Sequence, residues 1–215
     1  MPGPASKTEK QSPATRDPEA TKTRILDAAE VEFAQGGLLG ARTEAIAAKT
    51  GVTKAMLYYY FGDKEGLYLA VLERAYTRRM AALQKVDLHS LEPEQALRAF
   101  ISAFLDEVGV NRNLPAIFFY EGIQNQGRFY SQIAMQSLYM PLVDLLQRGM
   151  DSGKFRQMNT FHVAVNIIGL STFYFCSMEN IKHLWEPGID LLGPEMREQH
   201  KSEAIQQAVA GVLKL

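Results

Sequence analysis

Residues 42–67, RTEAIAAKTGVTKAMLYYYFGDKEGL, decide the fold that we expect of this chain. Their pattern predicts two short helices joined by a tight turn and followed by a third helix. Thr43 and Thr53 are placed to cap the two short helices, and Asp63 is placed to cap the third. Gly51 is free to adopt a positive φ in the turn. This order of caps, helices and turn is typical of a helix-turn-helix unit, whose second helix enters the major groove of DNA.

The second short helix, residues 54–61, has two different faces when its residues are placed at about 100° intervals. The outer arc is formed by Lys54, Ala55, Tyr58 and Tyr59. Leu57 and Phe61 point to the opposite side, into a small core. A basic and aromatic outer arc suits contacts with base edges and phosphates. Consecutive tyrosines also pack helices against their neighbours, but the compatible caps and turn favour the DNA-binding interpretation.

The same residues resemble the DNA-binding domain of TetR-family transcriptional regulators. The match includes the pattern G-V-[ST]-K-x-x-L-Y-x-Y-F-x-x-K-E-x-L, which begins at Gly51. The resemblance implies a dimeric, ligand-responsive DNA-binding protein, most often a repressor. By resemblance, bases or backbone are met by Thr43, Lys54, Ala55 and Tyr58, and phosphate by Thr53, Tyr60 and Lys64. The C-terminal half is weakly similar to the pyrimidine-utilisation repressor branch of the family, and no ligand is transferred from it.

Two residues of this stretch leave alternatives open. Helical geometry places Tyr60 towards the core, whereas the resemblance places it at the DNA. A phenol satisfies both when its ring packs and its hydroxyl reaches a phosphate. Glu44 either accepts a hydrogen bond from a cytosine amino group or repels the DNA backbone.

Length and composition are those of an ordinary globular protein: 215 residues, of which 47% are hydrophobic and 22% charged. The single cysteine, Cys176, excludes an internal disulfide and fits a reducing cytoplasm. No apolar run reaches the roughly 18–20 residues that span a bilayer, and the N-terminus lacks a secretory signal. We therefore expect a cytoplasmic protein with no membrane partner. The net charge of −1 means that DNA affinity depends on the local placement of charges.

The helical pattern predicts an all-α chain of about nine helices in three segments. Residues 1–16 are predicted to be a disordered arm, which either touches DNA or has no role. Residues 17–64 are predicted to form a three-helix helix-turn-helix DNA-binding domain. Residues 65–215 are predicted to form a larger helical domain for ligand binding and dimerisation.

Glycine, proline and polarity predict several helix boundaries. The first helix runs from Pro18 to about Gln35 and ends at the following pair of glycines. A helix over 129–150 is broken or bent near Pro141, because proline lacks a backbone donor. A helix over 161–178 is apolar on nearly all sides, as a helix buried between neighbours should be, and residues 181–194 form an irregular loop.

The last two helices resemble those that pair across the dimer interface in the TetR family. The candidate interface residues are Val163, Ile167, Leu170, Ile205, Val209 and Val212. Alternatively, these apolar stripes fill the core of a monomer. A two-fold dimer would present two helix-turn-helix units to a palindromic operator.

The family also binds a small-molecule effector in its helical body. Polar side chains on apolar helices are candidates, because buried polar groups need partners. The candidates are Tyr120, Glu121, Gln124, His162, Asn166 and Tyr174. Alternatively, each of them bonds a neighbouring side chain or backbone carbonyl.

The competing class is a small all-α enzyme or carrier. The sequence contains no GxSxG, HExxH or P-loop motif, and its four histidines have no metal-binding spacing. We therefore expect neither an enzyme nor a cofactor or metal. The predicted function is a transcriptional repressor that a small molecule releases from its operator, and the sequence does not separate this from an activator.

Overall fold

The computed structural model describes residues 17–111, 113–133 and 136–214, and its regular structure within these ranges is helical. The predicted arm, residues 1–16, lies outside them. The helices α1 to α10 span Pro18–Gly40, Thr43–Thr50, Lys54–Phe61, Lys64–Gln84, Pro93–Val110, Leu114–Gln124, Gln136–Asp151, Thr160–Cys176, Met178–Ile181 and Pro194–Val212. The all-α prediction is confirmed. The described α-helices exceed the predicted nine by one because α9 is a separate short helix after α8, and a 3-10 turn, Lys182–Leu184, lies in the predicted loop.

Short-range capping fixes the starts of α1, α3 and α4. The carboxylate of Asp17 accepts from the backbone N–H of Glu19 at 2.9 Å. The Thr53 hydroxyl accepts from Met56 N–H at 3.1 Å, and Asp63 accepts from Gly66 N–H at 2.8 Å. These caps satisfy helix donors that have no partner within the helix.

The prediction that Thr43 caps α2 is wrong. Arg42 occupies the cap position, and no side chain caps the helix there. Thr43 is the first helical residue and is buried, with its hydroxyl 3.4 Å from the hydroxyl of Tyr58 on α3. Thr43 therefore joins the two short helices of the turn.

Helix α1 is kinked rather than ended by its glycine pair. Gly37 has φ 65° and ψ −165°, and helical structure resumes up to Gly40. This backbone conformation is nearly confined to glycine. The kink lies against α6, because the amide of Gln124 donates to the Gly36 carbonyl at 3.2 Å.

Two hydrophobic clusters organise the described residues. One joins α1, α2, α3 and α4 through buried side chains such as Phe33, Leu57 and Tyr68, and it includes Ile117 of α6. The other lies among α5, α7, α8 and α10. We call α1–α3 the head and α4–α10 the body. Helix α6 thus belongs to the body in sequence but packs in the core of the head.

Two predicted body helices differ in the structure. Residues 129–133 form turns, and α7 begins at Gln136, so the predicted single helix over 129–150 is wrong. Pro141 lies inside α7, so the chain stays helical through it rather than breaking there. Helix α8 is not buried all round, since Phe161, Val165 and Phe173 are exposed.

No single helix among the described residues is long and apolar enough to cross a bilayer. One bent pair, Thr160–Cys176 with Met178–Leu184, meets the requirement by length and composition alone, with a bend of 67° between its parts.

Candidate functional site

The outer surface of α3 is the first candidate site. Thr53, Lys54 and Ala55 are exposed at its N-terminal end, and Tyr59 is 84% exposed. Tyr58 is half-buried, because its ring packs against the core of the head. Leu57 on the opposite side is fully buried. Burying one side of α3 holds the other side outward as a short surface of polar and aromatic groups.

An ion pair lies on this surface. The ammonium group of Lys54 donates to the carboxylate of Glu44 on α2, and it lies 5.7 Å from the centre of the Tyr58 ring. The hydrogen bond from Lys54 lowers the pKa of the Glu44 carboxyl, and the same bond raises the pKa of Lys54. Neither of the two alternatives for Glu44 included this pairing. The lysine charge is therefore partly neutralised until a partner competes with Glu44.

Two further predicted residues lie beside the outer surface of α3. Tyr60 is half-buried, its ring lies 5.4 Å from that of Tyr59, and the ammonium group of Lys22 lies 5.9 Å from its centre. Lys64 is half-buried and donates to the Leu39 carbonyl at 3.2 Å. Tyr60 therefore has a packed ring close to a cation from α1.

The predicted pocket residues do not converge on one cavity. On α6, Tyr120 donates to the Gln35 carbonyl at 3.4 Å, and Gln124 also contacts the α1 kink. Glu121 is fully buried and accepts from the backbone N–H of Phe129 at 2.8 Å. Local partners therefore satisfy these groups.

The three remaining pocket candidates lie on α8. His162 is exposed. Asn166 and Tyr174 line an open groove on the outer side of α8, and Tyr174 donates to the Leu191 carbonyl at 2.6 Å. The six candidates do not line one described cavity together, and their role in effector binding stays a prediction.

A cavity of about 140 Å³ does lie inside the body, between α4, α5, α6, α7 and α8. Six of the residues that line it are Arg79, Phe104, Phe118, Tyr130, Tyr139 and Cys176. None of the predicted pocket residues lines this cavity. A signal was present, since Arg79 shares the buried stripe of α4 with Leu72, Ala75 and Leu83. A charged residue on an apolar stripe marks a special environment.

The predicted interface residues fall into two groups. Ile167, Val209 and Val212 are buried in the core of the chain itself, with Val209 and Val212 only 2% and 1% exposed. They have no surface to offer a partner, so their assignment to the interface is wrong. Leu170 is exposed, and Val163 and Ile205 are half-buried. The exposed apolar side of α8 instead presents Phe161, Val165, Leu170 and Phe173.

The described residues form an all-α helix-turn-helix protein. Its first helix is kinked, the second helix of its turn is exposed, and its helical body contains a cavity. Residues 25–71 match the family described as bacterial regulatory proteins, tetR family. Residues 93–209 match the family described as tetracyclin repressor-like, C-terminal domain. The chain belongs to the TetR family.

Individual relatives agree with this assignment. The chain is 38% identical over 111 residues to the HTH-type transcriptional repressor SCO4008 of Streptomyces coelicolor, covering 52% of this chain and 54% of that protein. It is 40% identical over 96 residues to the HTH-type transcriptional regulator RutR of Escherichia coli K12, covering 45% of this chain and 43% of RutR. The chain thus spans about half the length of these curated relatives.

A solved structure shows the same fold. The ketosteroid transcriptional regulator KstR2 of Mycobacterium tuberculosis superposes with a TM-score of 0.70 at 21% identity, over 90% of this chain and 95% of that chain.

Proposed function

We propose that the chain is a sequence-specific DNA-binding repressor, which acts as a dimer on a palindromic operator and is released by a small molecule. The observation that carries the proposal is the outer surface of α3, held outward by the burial of Leu57. Thr53, Lys54, Ala55 and Tyr59 are exposed there, and side chains of these types bond phosphates and base edges. Tyr58, Tyr60, Thr43 and Lys64 support this surface from its edges.

DNA competes with Glu44 for Lys54. A phosphate that accepts from the lysine replaces the carboxylate, which must then turn away or find a donor on a base. In the free protein the carboxylate of Glu44 thus neutralises part of the charge of Lys54, which limits non-specific affinity for DNA. This matches the nearly neutral charge of the chain.

The dimer is proposed to form through α8. Phe161, Val165, Leu170 and Phe173 are large apolar residues on its outer side, and contiguous apolar surface is typical of protein interfaces. Gly169 lies among them, and a Cβ atom placed there meets no other atom within 4 Å, so a partner helix can approach closely. A two-fold dimer reads half-sites about 34–36 Å apart.

The effector is proposed to bind in the cavity of the body, and α6 is proposed to carry the signal. Pro115 and Phe118 of α6 line the cavity. One to two turns further on, Tyr120 and Gln124 bond the kink of α1. A ligand that shifts α6 therefore acts on the orientation of the head, and the head carries α3.

The test is selection of DNA from a random pool at fixed salt, followed by titration of the selected site across salt. A palindromic site and a negative salt slope are expected. Lys54→Ala should lower affinity about tenfold or more and reduce the salt slope by about 1. Lys85→Ala, which removes another exposed lysine far from α3, is the matched control. Equal losses in the two variants, or no enriched site, would contradict the proposal.

Dimerisation has its own test. Phe173→Asp should give monomers in sedimentation experiments, because it places a carboxylate in the proposed interface. Phe119→Asp is the matched control, since Phe119 of α6 is 55% exposed and Phe173 is 63% exposed. A stable Phe173→Asp dimer would rule out α8 as the interface.

A further inference from the structure

The cavity of the body contains a buried cation. Arg79 is 6% exposed, and its guanidinium lies 5.3 Å from the ring centre of Phe104 and 4.7 Å from that of Phe118. Desolvation by burial lowers the pKa of Arg79. The group nevertheless stays protonated, because an arginine side chain does not lose its proton in proteins. A full positive charge therefore sits at the wall of an otherwise mainly apolar cavity.

The protein itself compensates this charge only in part. Glu107 approaches with its Oε2 3.5 Å from the Arg79 Nε, while its Oε1 lies 3.9 Å from the Nε of Arg78. One carboxylate is thus shared by two guanidinium groups. Among the described residues, the Arg79 Nε and the Glu107 Oε2 are both buried without a hydrogen-bond partner. Buried charged groups without hydrogen bonds are costly, so this arrangement leaves room for another acceptor.

The geometry of a guanidinium selects the acceptor. Its N–H groups form a planar fork that matches the two oxygens of a carboxylate. Arg78, Arg79 and Glu107 together carry two positive charges and one negative charge. A monoanion bound to Arg79 would make this group neutral. A dianion would bring excess negative charge into an apolar cavity, which is unfavourable.

The size and lining of the rest of the cavity determine which uncharged group the ligand can carry. Its volume of about 140 Å³ is small, and cavities of about 150 Å³ hold one benzene ring. Four aromatic rings contribute to the wall, from Phe104, Phe118, Tyr130 and Tyr139. Rings of this kind favour edge-to-face or offset contacts with an aromatic guest.

We infer that the effector is a small aromatic monocarboxylate, whose carboxylate binds the Arg79 guanidinium and whose ring fills the cavity between α5, α6 and α7. This inference rests on the proposed effector role of the cavity. It names the ligand chemistry, which the family assignment leaves open.

Calorimetric titration of the full chain with benzoate and with benzamide tests the charge. The two probes have nearly the same shape, but only benzoate is an anion. Benzoate should bind about tenfold or more tightly than benzamide, because hydrogen bonds to charged groups are the stronger ones. Acetate should bind far more weakly than benzoate, since it leaves the ring space empty. Absence of benzoate binding at millimolar concentration, or equal affinity for benzoate and benzamide, would overturn the inference.

Variants locate the binding. Arg79→Gln combined with Glu107→Gln avoids leaving a buried carboxylate alone and should remove the preference for benzoate over benzamide. Arg78→Gln, at the exposed neighbour, should retain it. A double variant that folds and still prefers benzoate would contradict the assignment.

DNA release separates the inference from the proposed function. If benzoate binds through Arg79 but leaves operator affinity unchanged, the ligand chemistry holds and the effector role of the cavity fails. If only uncharged molecules release the operator, the effector role holds and the inference about Arg79 fails.

Discussion

Gly37→Ala should destabilise the chain by about 2–4 kcal/mol. The backbone of Gly37, at φ 65° and ψ −165°, costs a residue with a Cβ atom about 1–3 kcal/mol. The new Cβ would also clash with the Oε1 of Gln124, so that side chain must leave its hydrogen bond with the Gly36 carbonyl. Losing this bond adds about 1 kcal/mol.

Urea unfolding at one fixed protein concentration measures the effect, because unfolding of a dimer depends on concentration. Gly40→Ala is the control: a Cβ atom at Gly40 meets nothing within 4 Å, and the residue is exposed. It should leave the free energy of unfolding unchanged or raise it slightly.

The double variant Gly37→Ala with Gln124→Ala separates the two causes of the loss in free energy of unfolding, which are backbone strain and the clash with Gln124. If the clash matters, the double variant costs less than the sum of the single ones. A loss below about 0.5 kcal/mol for Gly37→Ala would refute the reasoning, since surface changes without strain stay within that range.

Three further results are expected. Glu44→Gln should raise DNA affinity uniformly across sequences in salt titrations if its carboxylate only neutralises the neighbouring lysine, whereas altered preference at one base pair would show base contact. Arg74→Met should cost about 3 kcal/mol in urea unfolding, because it removes the 2.9 Å ion pair of the buried Glu30, whereas Asp27→Asn on the exposed side of the same arginine should cost under about 1 kcal/mol. Burial lowers the pKa of His200 below 6.5, so the folded state binds fewer protons than the unfolded state. The stabilising contribution of neutral His200 should therefore be full above about pH 6.5 and fall as the pH drops towards the lowered pKa. His200→Gln should remove this pH dependence when the midpoints of urea unfolding are compared.

The parts of the fold that depend on neighbours in sequence could be predicted from the sequence. Thr53 and Asp63 bond a backbone N–H three residues away, so composition and spacing suffice to place them. Gly37 shows the limit of this reasoning. A glycine pair normally ends a helix, but here contacts with Gln124, far along the chain, hold the kink and allow helical structure to resume. Packing between residues far apart in the chain determines where α1 ends, and such packing cannot be predicted from the spacing of neighbouring residues.

The candidate sites show the same division. The exposed arc of α3 follows from helical periodicity alone. The cavity could not be predicted in the same way. Most polar groups on apolar helices have partners nearby in the fold, as Glu121 does with the backbone N–H of Phe129, so their presence in the sequence does not mark a cavity. The interface residues Val209 and Val212 were misplaced for a related reason: an apolar stripe does not reveal whether the chain itself or a second copy covers it.

Helix α6 limits how strongly the cavity and the DNA can influence each other. Three hydrogen bonds connect it to the kink of α1: Tyr120 to the Gln35 carbonyl, Gln124 to the Gly36 carbonyl, and the Leu39 N–H to Gln124. At about 0.5–1.5 kcal/mol each, breaking them supplies at most a few kcal/mol. Allosteric coupling energies are commonly about 1–3 kcal/mol, so these three bonds are strong enough for the operator release that we propose. Because coupling is reciprocal, the proposed mechanism requires that operator DNA weaken effector binding by the factor by which the effector weakens DNA binding. Gln124→Ala removes two of the three bonds and should therefore reduce this shared factor; an unchanged factor would exclude these bonds as the link.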